Sequence, residues 1–498
     1  MFESESWHNR LSVECLGRRL RSVPLFLLLI PYALGILLAD SVVIPDWTLF
    51  VLYIVAVAIV EFLSHRRVLY VLAVGSVMLG VGYMVTTLMR PSCNIPDGEY
   101  IDAIVRVDDI PVERQGYRQS SGTIEAWRGA EGGEVCDYDV VLWIRHNSIN
   151  EGDRVQLRTK FHRRMSRYEG YDRLLRNRGY VGGVSLSDRS VVAVEEDVRH
   201  TLQTRAIRKL ERYMSDSLSH STAEAMVVGS RRLEPRHLRD AYSRTGLSHL
   251  MALSGLHLCI VFMVVTLLLS PVIFVRHGHR LHNVLVVVVL WVYVVMAGAS
   301  ASLVRAALMF SFLQLAQASS RRYNSLNSLS AALFAMLIYR PNYLYDISFQ
   351  LSVMAVMGIV VWGVPLIRRV AHGGFVTRSL LTTLIIGTTA TLWTMPIVSH
   401  TFGNIPYLGV IITPVAMLTA YVVVGCGIFA LILPHPLSMP FGWVMEHAAW
   451  VQNSFVEWVA SERWVTINYS LSEGGVATIY AIFLLITLVV WSICEKKW

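Results

Sequence analysis

Apolar residues form long runs at both ends of this chain, and a more polar segment separates them. The sequence opens with apolar runs at about 23–39, 44–63 and 68–89. Further runs begin at residue 247, near 248–275, 283–299, 301–318, 327–340, 347–365, 380–399, 408–433 and 475–494. A run of about 20 apolar residues is long enough to cross a bilayer as a helix. The pattern therefore predicts a polytopic α-helical membrane protein, with transmembrane helices in 1–90 and a transmembrane domain of about eight to nine spans in 246–498.

One apolar stretch, 441–460, is ambiguous. Glu446, His447 and Glu457 interrupt it, so it can either cross the bilayer or lie in the interface. The sequence pattern leaves this crossing open.

Between residues 91 and 200 the apolar runs shorten to strand length. Alternating stretches occur at Tyr100–Val107, Gly122–Trp127, Asp139–Ile144, Arg154–Phe161 and Gly179–Val194. Short alternating strands separated by turn residues predict a small β-barrel of OB-fold size, with an irregular loop as the alternative. The following residues, 201–245, read as amphipathic linker helices.

Basic residues predict the orientation of the chain in the membrane. Arg18, Arg19 and Arg21 precede the first run, and His65–Arg67 separates the second run from the third. Because basic loops stay in the cytoplasm, we expect a cytoplasmic N-terminus and an extracytoplasmic β-domain. A signal peptide over residues 1–39 is the less favoured interpretation, because two further spans follow at once.

Composition supports this class. Apolar residues make up 54% of the chain, charged residues only 16%, and mean hydropathy is +0.48. Those values exclude a soluble globular protein and a disordered chain. The lysines Lys160, Lys209, Lys496 and Lys497 do not occur in a Gly-Lys-Ser/Thr sequence, so the chain has no Walker A motif.

The polar segment Gly246–His257 lies at the mouth of an apolar run. His249, Ser254, Gly255 and His257 are candidates for a cavity lining, because polar groups are costly in a bilayer. The simpler interpretation is a capped helix start in the headgroup region. A third interpretation is an intramembrane serine hydrolase that uses Ser254 and His257.

Three further polar residues interrupt later spans. Arg305 follows a run of small residues, and Asp346 and Gln350 open another span. They fit a polar conduit, although Arg305 can also reach the interface from a helix end. The histidines of Arg276–His282 lack the aspartate of a metallo-β-lactamase-type site, so we predict a basic loop there and no metal or cofactor.

The β-domain has an uneven charge distribution. Residues 97–153 carry 13 acidic and 5 basic side chains, whereas 154–178 carry 9 basic and 2 acidic ones. Basic residues interleaved with aromatic ones suit single-stranded nucleic acid, and a solvated face or a headgroup contact is the alternative. The candidate DNA-binding residues are Arg154, Arg158, Lys160, Arg163, Arg164, Arg167, Tyr168, Arg173 and Arg176. Cys93 and Cys136 could form a disulfide in an oxidising compartment.

The sequence also resembles a known family. Gly246–His257 is similar to the signature of ComEC, the inner-membrane channel for DNA uptake in natural competence. The similarity extends to the segments Ala299–Ala306, Asn324–Leu329, Arg340–Pro341, Asp346–Ser352 and Met395–Pro396. It covers nearly the whole chain, including the early helices and the OB-like domain.

The resemblance implies a non-enzymatic channel for single-stranded DNA in the bacterial inner membrane. It implies a cytosolic ATPase or helicase that supplies force, an extracytoplasmic DNA receptor and a possible homo-oligomer. The polar residues named above become candidate channel-lining residues. Many members carry a C-terminal metallo-β-lactamase-like domain; because this sequence ends at Trp498 after its last predicted span, we expect a short form. A transporter of small solutes or lipids, and the hydrolase, remain alternatives.

Overall fold

A computed structural model describes most of the chain as two compact units. The described residues are 24–41, 67–89, 93–109, 111–114, 116–129, 132–145, 149–166, 169–195, 202–319, 324–370, 374–405, 407–462 and 467–494. The first unit comprises 1–90, 308–405 and 468–498, and the second comprises 91–307 and 406–467. The predicted span at 44–63 lies outside the described residues.

The described helices are numbered here in chain order. They are α1 (Pro24–Ser41), α2 (Arg67–Leu88), α3 (Glu169–Asn177), α4 (Leu202–Glu211), α5 (Ser217–Val227), α6 (Arg236–Arg244), α7 (Ser248–Met251), α8 (Gly255–Leu268), α9 (Gly278–Met296), α10 (Ala301–Ala318), α11 (Ser325–Tyr339), α12 (Ile347–Gly358), α13 (Val364–Val370), α14 (Phe375–Phe402), α15 (Gly409–Ile432), α16 (Met439–Ser461) and α17 (Glu473–Cys494). Short 3₁₀ turns lie at Ser270–Phe274 and Pro341–Tyr345, and a π-helical turn, Ile359–Gly363, joins α12 to α13.

Five described helices are long and apolar enough to cross a membrane. They are Gly278–Met296, Ala301–Ala318, Ile347–Val370, Thr377–Phe402 and Ile411–Ile432. Shorter apolar helices cover Pro24–Ala39, Ala73–Leu88, Gly255–Leu268, Ser325–Tyr339 and Glu473–Val489. The chain is therefore a polytopic membrane protein, as the hydrophobic runs predict.

The segment after α2 folds as a separate mixed β-sheet. Its strands are β1 (Tyr100–Val107), β2 (Val112–Arg114), β3 (Tyr117–Arg128), β4 (Gly133–Ile144), β5 (Arg154–Lys160), β6 (Gly182–Leu186) and β7 (Val191–Glu195). The strand order is β6-β4-β3-β1-β5-β7, with β2 paired to β3. The pairs are antiparallel except β4 with β6. Two further short strands are β8 (Asn404–Ile405) and β9 (Ile467–Asn468).

Alternation along the strands builds the core of this domain. In β1 and β5 every second residue is buried, and the inward side chains include Ile101, Val105, Val155 and Leu157. Period-2 burial places one strand face in the core and the other in solvent. The sheet does not close into a barrel through its ladders, so the predicted OB-like barrel is not established by this arrangement.

Two details of the β-domain differ from the sequence prediction. The single strand predicted at 179–194 is wrong, because a turn at residues 187–190 divides it into β6 and β7. The serine side chains at the turn explain the division: the Ser187 amide donates to Ser190 Oγ at 2.7 Å. Residues 154–178 form the basic tract, and helix α3 within it has no counterpart among the predicted strands.

The predicted linker helices α4–α6 pack into the second unit. Helix α5 is buried over most of its length, from Ser219 to Val227. Lys209 of α4 donates from Nζ to the carbonyls of Leu431 (2.7 Å) and Leu433 (2.9 Å) at the end of α15. A lysine here satisfies carbonyls that have no partner within their own helix.

Close helix packing marks the first unit. A Cβ atom on Gly82 of α2 would lie 2.2 Å from the carbonyl oxygen of Tyr32 in α1, and one on Gly35 would lie 2.0 Å from the oxygen of Leu79. Glycines at these positions therefore let the two backbones approach directly, as small residues do in membrane helix pairs. Tyr32 itself is buried and donates to the Leu337 carbonyl of α11 at 3.5 Å.

Alanine substitutions in α2 test this packing. We expect Gly82→Ala to lower the thermal midpoint of the detergent-solubilised chain, because the new methyl group meets backbone and forced overpacking costs about 1–3 kcal/mol. Gly80→Ala is the control, since nothing lies within 4 Å of its added Cβ. That variant should be neutral or gain up to about 1 kcal/mol in helix propensity. Equal midpoints for the two variants would contradict the packing.

Candidate functional site

The polar segment after α6 interrupts the helical chain. Helix α7 ends at Met251, Ala252 and Ser254 are extended, and α8 begins at Gly255. Ser254 is the N-cap of α8, and its Oγ accepts the Leu256 amide at 3.3 Å. The break is thus stabilised by a serine that supplies one of the acceptors a helix start lacks.

His257 completes a capping box with Ser254. The Ser254 backbone amide donates to Nδ1 of His257 at 3.2 Å, and the Ser254 hydroxyl lies 3.0 Å from the same nitrogen. Because Nδ1 accepts a backbone N–H, we assign the ring proton to Nε2. His257 is fully buried, and its Nε2 has no hydrogen-bond partner among the described residues. His249, by contrast, is exposed, and its Nδ1 lies 3.0 Å from the Gly246 carbonyl.

Gly255 brings α8 into contact with α10. A Cβ atom at this position would lie 3.4 Å from Cβ of Ala306 and 3.7 Å from Nη2 of Arg305. Arg305 is 4% exposed. The structure therefore places Gly255 beside Arg305, two candidates that are far apart in sequence.

The remaining polar candidates belong to the first unit and stabilise a helix start. Asp346 is the N-cap of α12, where its Oδ1 accepts the Phe349 amide at 3.0 Å. Gln350 donates from Nε2 to the Leu344 carbonyl at 2.9 Å. Both side chains hold the turn that precedes α12.

Helix α16 carries a buried polar cluster that the sequence did not predict, although Glu446 was noted as an interruption of the apolar run. Glu446 Oε1 accepts the Ser215 amide (2.5 Å), the Ser215 hydroxyl (2.7 Å) and the Asp216 amide (2.8 Å). These bonds dock the start of α5 onto α16. The available signal was the seven-residue spacing of Glu446 and Asn453, which places both on one helix face.

The cluster continues one heptad along α16. Asn453 Oδ1 accepts from the hydroxyls of Thr222 (2.8 Å) and Tyr242 (3.0 Å). Gln452 donates from Nε2 to the Tyr242 hydroxyl at 3.1 Å and accepts from Thr419 of α15 at 3.1 Å. The bonds join α5, α6, α15 and α16 through side chains that are costly to bury unless paired.

The basic residues of β5 lie on the solvent face of the sheet. We call this face, with Arg106, Arg128, Arg154, Arg158 and Lys160, the outer face. Register pairs bring Arg106 opposite Arg154, and Asp102 opposite both Arg128 and Arg158. Arg106 and Arg128 are additions that only strand pairing reveals.

Acidic residues share the outer face and reduce its charge. Glu125 accepts from Arg106 at 3.1 Å and pairs with Arg154 at 3.1 Å. Asp102 lies 3.9 Å from Arg158. These pairs are exposed, so each contributes little stability. Lys160 lies 5.1 Å from the ring centroid of Tyr100, in a cation–π contact.

Other residues of the basic tract hold the backbone. Arg163 donates to the carbonyl of Cys93, and Arg176 donates to that of Arg163 (3.2 Å) and to Asp172. Asp172 also accepts the amides of the loop before α3. Although burial opposes the charged form, these bonds leave the pKa of Asp172 below its usual value.

Of the remaining candidates for DNA binding in the tract, the structure describes the side chain of Arg164 alone. Arg164 donates from Nε to the Ser166 carbonyl at 3.0 Å. Arg167, Tyr168 and the side chain of Arg173 lie outside the described residues.

The two cysteines of the β-domain pack beside its core as free thiols. Burial raises the pKa of Cys136 to about 11, and burial also raises the pKa of Cys93. The disulfide between them stays a prediction. Among the described residues, no group of three or more His, Cys, Asp and Glu side chains could hold a metal ion.

Comparison with known proteins adds a family to this geometry. The sequence profile described as "Competence protein" matches residues 226–493, which is more than half of the chain. The chain belongs to this family. The match begins within α5 and includes α7, α8 and the polar face of α16.

Two curated relatives are similar to parts of this chain. ComE operon protein 3 of Bacillus subtilis (strain 168) is 27% identical over 227 residues, which cover 45% of this chain and 28% of the relative. An uncharacterized protein of Aquifex aeolicus (strain VF5) is 28% identical over 265 residues, or 52% of this chain and 59% of the relative. The chain thus spans less than two thirds of either relative. No solved structure matches significantly.

Substitutions of Ser254 distinguish a role as helix cap from a role as catalytic nucleophile. We expect Ser254→Ala to lower the thermal midpoint, because loss of an N-cap costs about 1 kcal/mol. Ser254→Asn should restore most of it, since asparagine also caps helices. A fluorophosphonate probe should leave the wild-type chain unlabelled. Labelling that Ser254→Ala abolishes would instead identify a serine nucleophile.

Proposed function

We propose that this membrane protein takes part in DNA uptake and forms a passage for single-stranded DNA across the cytoplasmic membrane of a bacterium. The family match over residues 226–493 carries the proposal. The similarity to ComE operon protein 3 of Bacillus subtilis also supports the proposal. In this proposal the chain is a conduit rather than an enzyme, and a cytosolic ATPase or helicase and an extracytoplasmic DNA receptor are its partners.

The outer face of the β-domain is the proposed entry surface. Arg158 and Lys160 alternate along one exposed strand, and Tyr100 presents an aromatic ring beside them. Arginine and lysine follow phosphates, while rings stack on unpaired bases. The acidic partners Asp102 and Glu125 make this a surface for moderate, salt-sensitive binding.

The same domain has two features that support an OB-like arrangement. Strands β4 and β6 are parallel, and a single bridge between His162 and Gly183 connects the end of β5 to β6. OB-folds are partly open barrels that bind oligonucleotides on one face. We place this domain outside the cytoplasm, with the N-terminus inside, because the basic turns near the first spans favour that orientation.

Within the helices, His249, Ser254, Gly255, His257 and Arg305 are the proposed polar elements of the passage in the second unit. The capping box gives Ser254 and His257 a structural role at a broken helix, and irregular backbone at membrane depth is tolerated where protein or water surrounds it. Asp346 and Gln350 have the corresponding structural role in the first unit, where they stabilise the start of α12.

DNA entry in the living host tests the proposal directly. Labelled DNA should remain bound outside a deletion strain and should not reach the cytoplasm, because the passage is missing. Complementation with the wild-type chain should restore entry, and His257→Ala, which removes half of the capping box, should restore less. Unchanged entry in the deletion strain of a host that imports DNA would overturn the proposal.

Binding of a labelled single-stranded oligonucleotide to the full chain in nanodiscs tests the entry surface. Affinity should fall with salt, because bound phosphates release counterions. Arg158→Gln with Lys160→Gln should make the log–log salt slope shallower by about 1.4, at about 0.7 for each lost phosphate contact. Asp102→Asn should strengthen binding by removing an anion that faces Arg158.

Arg189 provides the matched control for that measurement. It is exposed on the turn between β6 and β7, outside the strands whose residues define the outer face. Arg189→Gln should therefore leave the slope unchanged. An equal effect of the control and the double substitution would remove the outer face from the proposal and leave a nonspecific charge effect.

A further inference from the structure

We propose that α16 crosses the bilayer antiparallel to α15 and presents a tryptophan-rich face to the lipid acyl chains. Composition excludes α16 from the five helices that are apolar enough to cross. The placement of its polar residues, however, favours a helix that crosses the bilayer. The inference does not depend on DNA as the substrate.

Three of the polar residues that lower the hydropathy of α16 face protein. Glu446, Gln452 and Asn453 are buried, and each is bonded to α5, α6 or α15 or to the loop before α5. Polar side chains within a membrane are expected to point into the protein and to pair there. The mean hydropathy of the helix counts these side chains as if they contacted lipid. They are buried against other helices of the protein, so they do not contact lipid.

The opposite face of α16 is mainly apolar, with His447 and Ser454 among its exposed polar residues. Trp443, Trp450 and Trp458 are 61%, 58% and 66% exposed, and Val444 and Val451 lie among them. The helix contains no Asp, Lys or Arg, and its two acidic residues are Glu446, which is buried, and Glu457, which lies toward its C-terminal end. Such a face is unfavourable in water and suited to hydrocarbon, with tryptophan also favoured at the two interfaces.

Two residues are partial exceptions: His447, three residues before the middle of the helix, and Glu457, four residues before its end. His447 donates from Nδ1 to the Trp443 carbonyl at 2.9 Å, and its ring packs 4.1 Å from that of Trp443. Glu457 lies 3.7 Å from His237, and its side chain is 42% exposed. Neither places an unpartnered charge at the centre of the helix.

Contacts with α15 fix the depth of α16. Phe429 stacks on Phe441 at 5.0 Å, and Thr419 bonds to Gln452 at 3.1 Å. The contact with the higher residue number on α15 has the lower residue number on α16, so the two helices run antiparallel. Since α15 contains the candidate span Ile411–Ile432, α16 lies at the same depth. Its 23 residues extend about 34 Å, enough for a hydrocarbon core of about 30 Å.

A shallow groove between α15 and α16 continues the same apolar surface. It has a volume of about 360 Å³, and its lining includes Leu418, Val422, Trp443 and Val451. Because α15 borders lipid, an acyl chain is the occupant that this lining and its neighbours favour.

Sided cysteine labelling tests the crossing. In a chain whose native cysteines are replaced, single cysteines are placed at Leu437 and Ser461, both exposed at opposite ends of α16. A membrane-impermeant maleimide should label one site in right-side-out vesicles and the other in inside-out vesicles. Labelling of both sites in the same vesicles would place the two ends on one side and overturn the proposal.

Spin labels distinguish lipid from a protein cover. Labels at Trp443→Cys, Trp450→Cys and Trp458→Cys report accessibility to oxygen, which partitions into lipid, and to a water-soluble nickel complex. We expect the oxygen-to-nickel ratio to be highest at 450. Equal ratios at all three positions, which an interfacial helix gives, or low accessibility to both reagents, which a protein cover gives, would overturn the proposal.

Discussion

The structure depends on satisfying polar groups without water. Where lipid surrounds a helix, every amide, carbonyl and polar side chain must find its partner inside the protein. The second unit meets much of this requirement with side chains: Ser254 and His257 cap the broken helix, and Glu446 accepts three donors at the start of α5. Removing one member would leave its partners buried and unpaired, so the polar residues act as a connected set.

Helix positions could be predicted from sequence because span length is a simple physical requirement. The runs at 283–299, 347–365 and 408–433 each correspond to a helix found in the structure. The capping role of Ser254 was also accessible, since serine before an apolar run is a common helix start. The docking of α5 against α16 was not accessible, because it joins residues more than 200 positions apart. Nothing local in the sequence records that Thr222 meets Asn453.

The β-domain shows the complementary difficulty. Summed along the sequence, residues 154–178 are strongly basic, yet pairing of β5 with β1 sets Asp102 against Arg158. The same pairing adds Arg106 and Arg128 from other strands to the outer face. Charge along a chain and charge on a surface differ because a sheet interleaves distant segments. The strand boundary at Ser187–Ser190 was not predicted because serine hydroxyls form the turn, and the segment has no glycine or proline to mark it.

Lys209 has a consequence for how the sequence can vary. The chain uses arginine for nearly all its basic positions, but here a lysine places one small ammonium group between the carbonyls of Leu431 and Leu433. A guanidinium is planar and broader, and its donors point in fixed directions. An exchange of lysine for arginine at this position would therefore change the geometry of both bonds while it keeps the charge. The last turn of α15 thus makes position 209 sensitive to a substitution that conserves charge but changes the shape of the donor group.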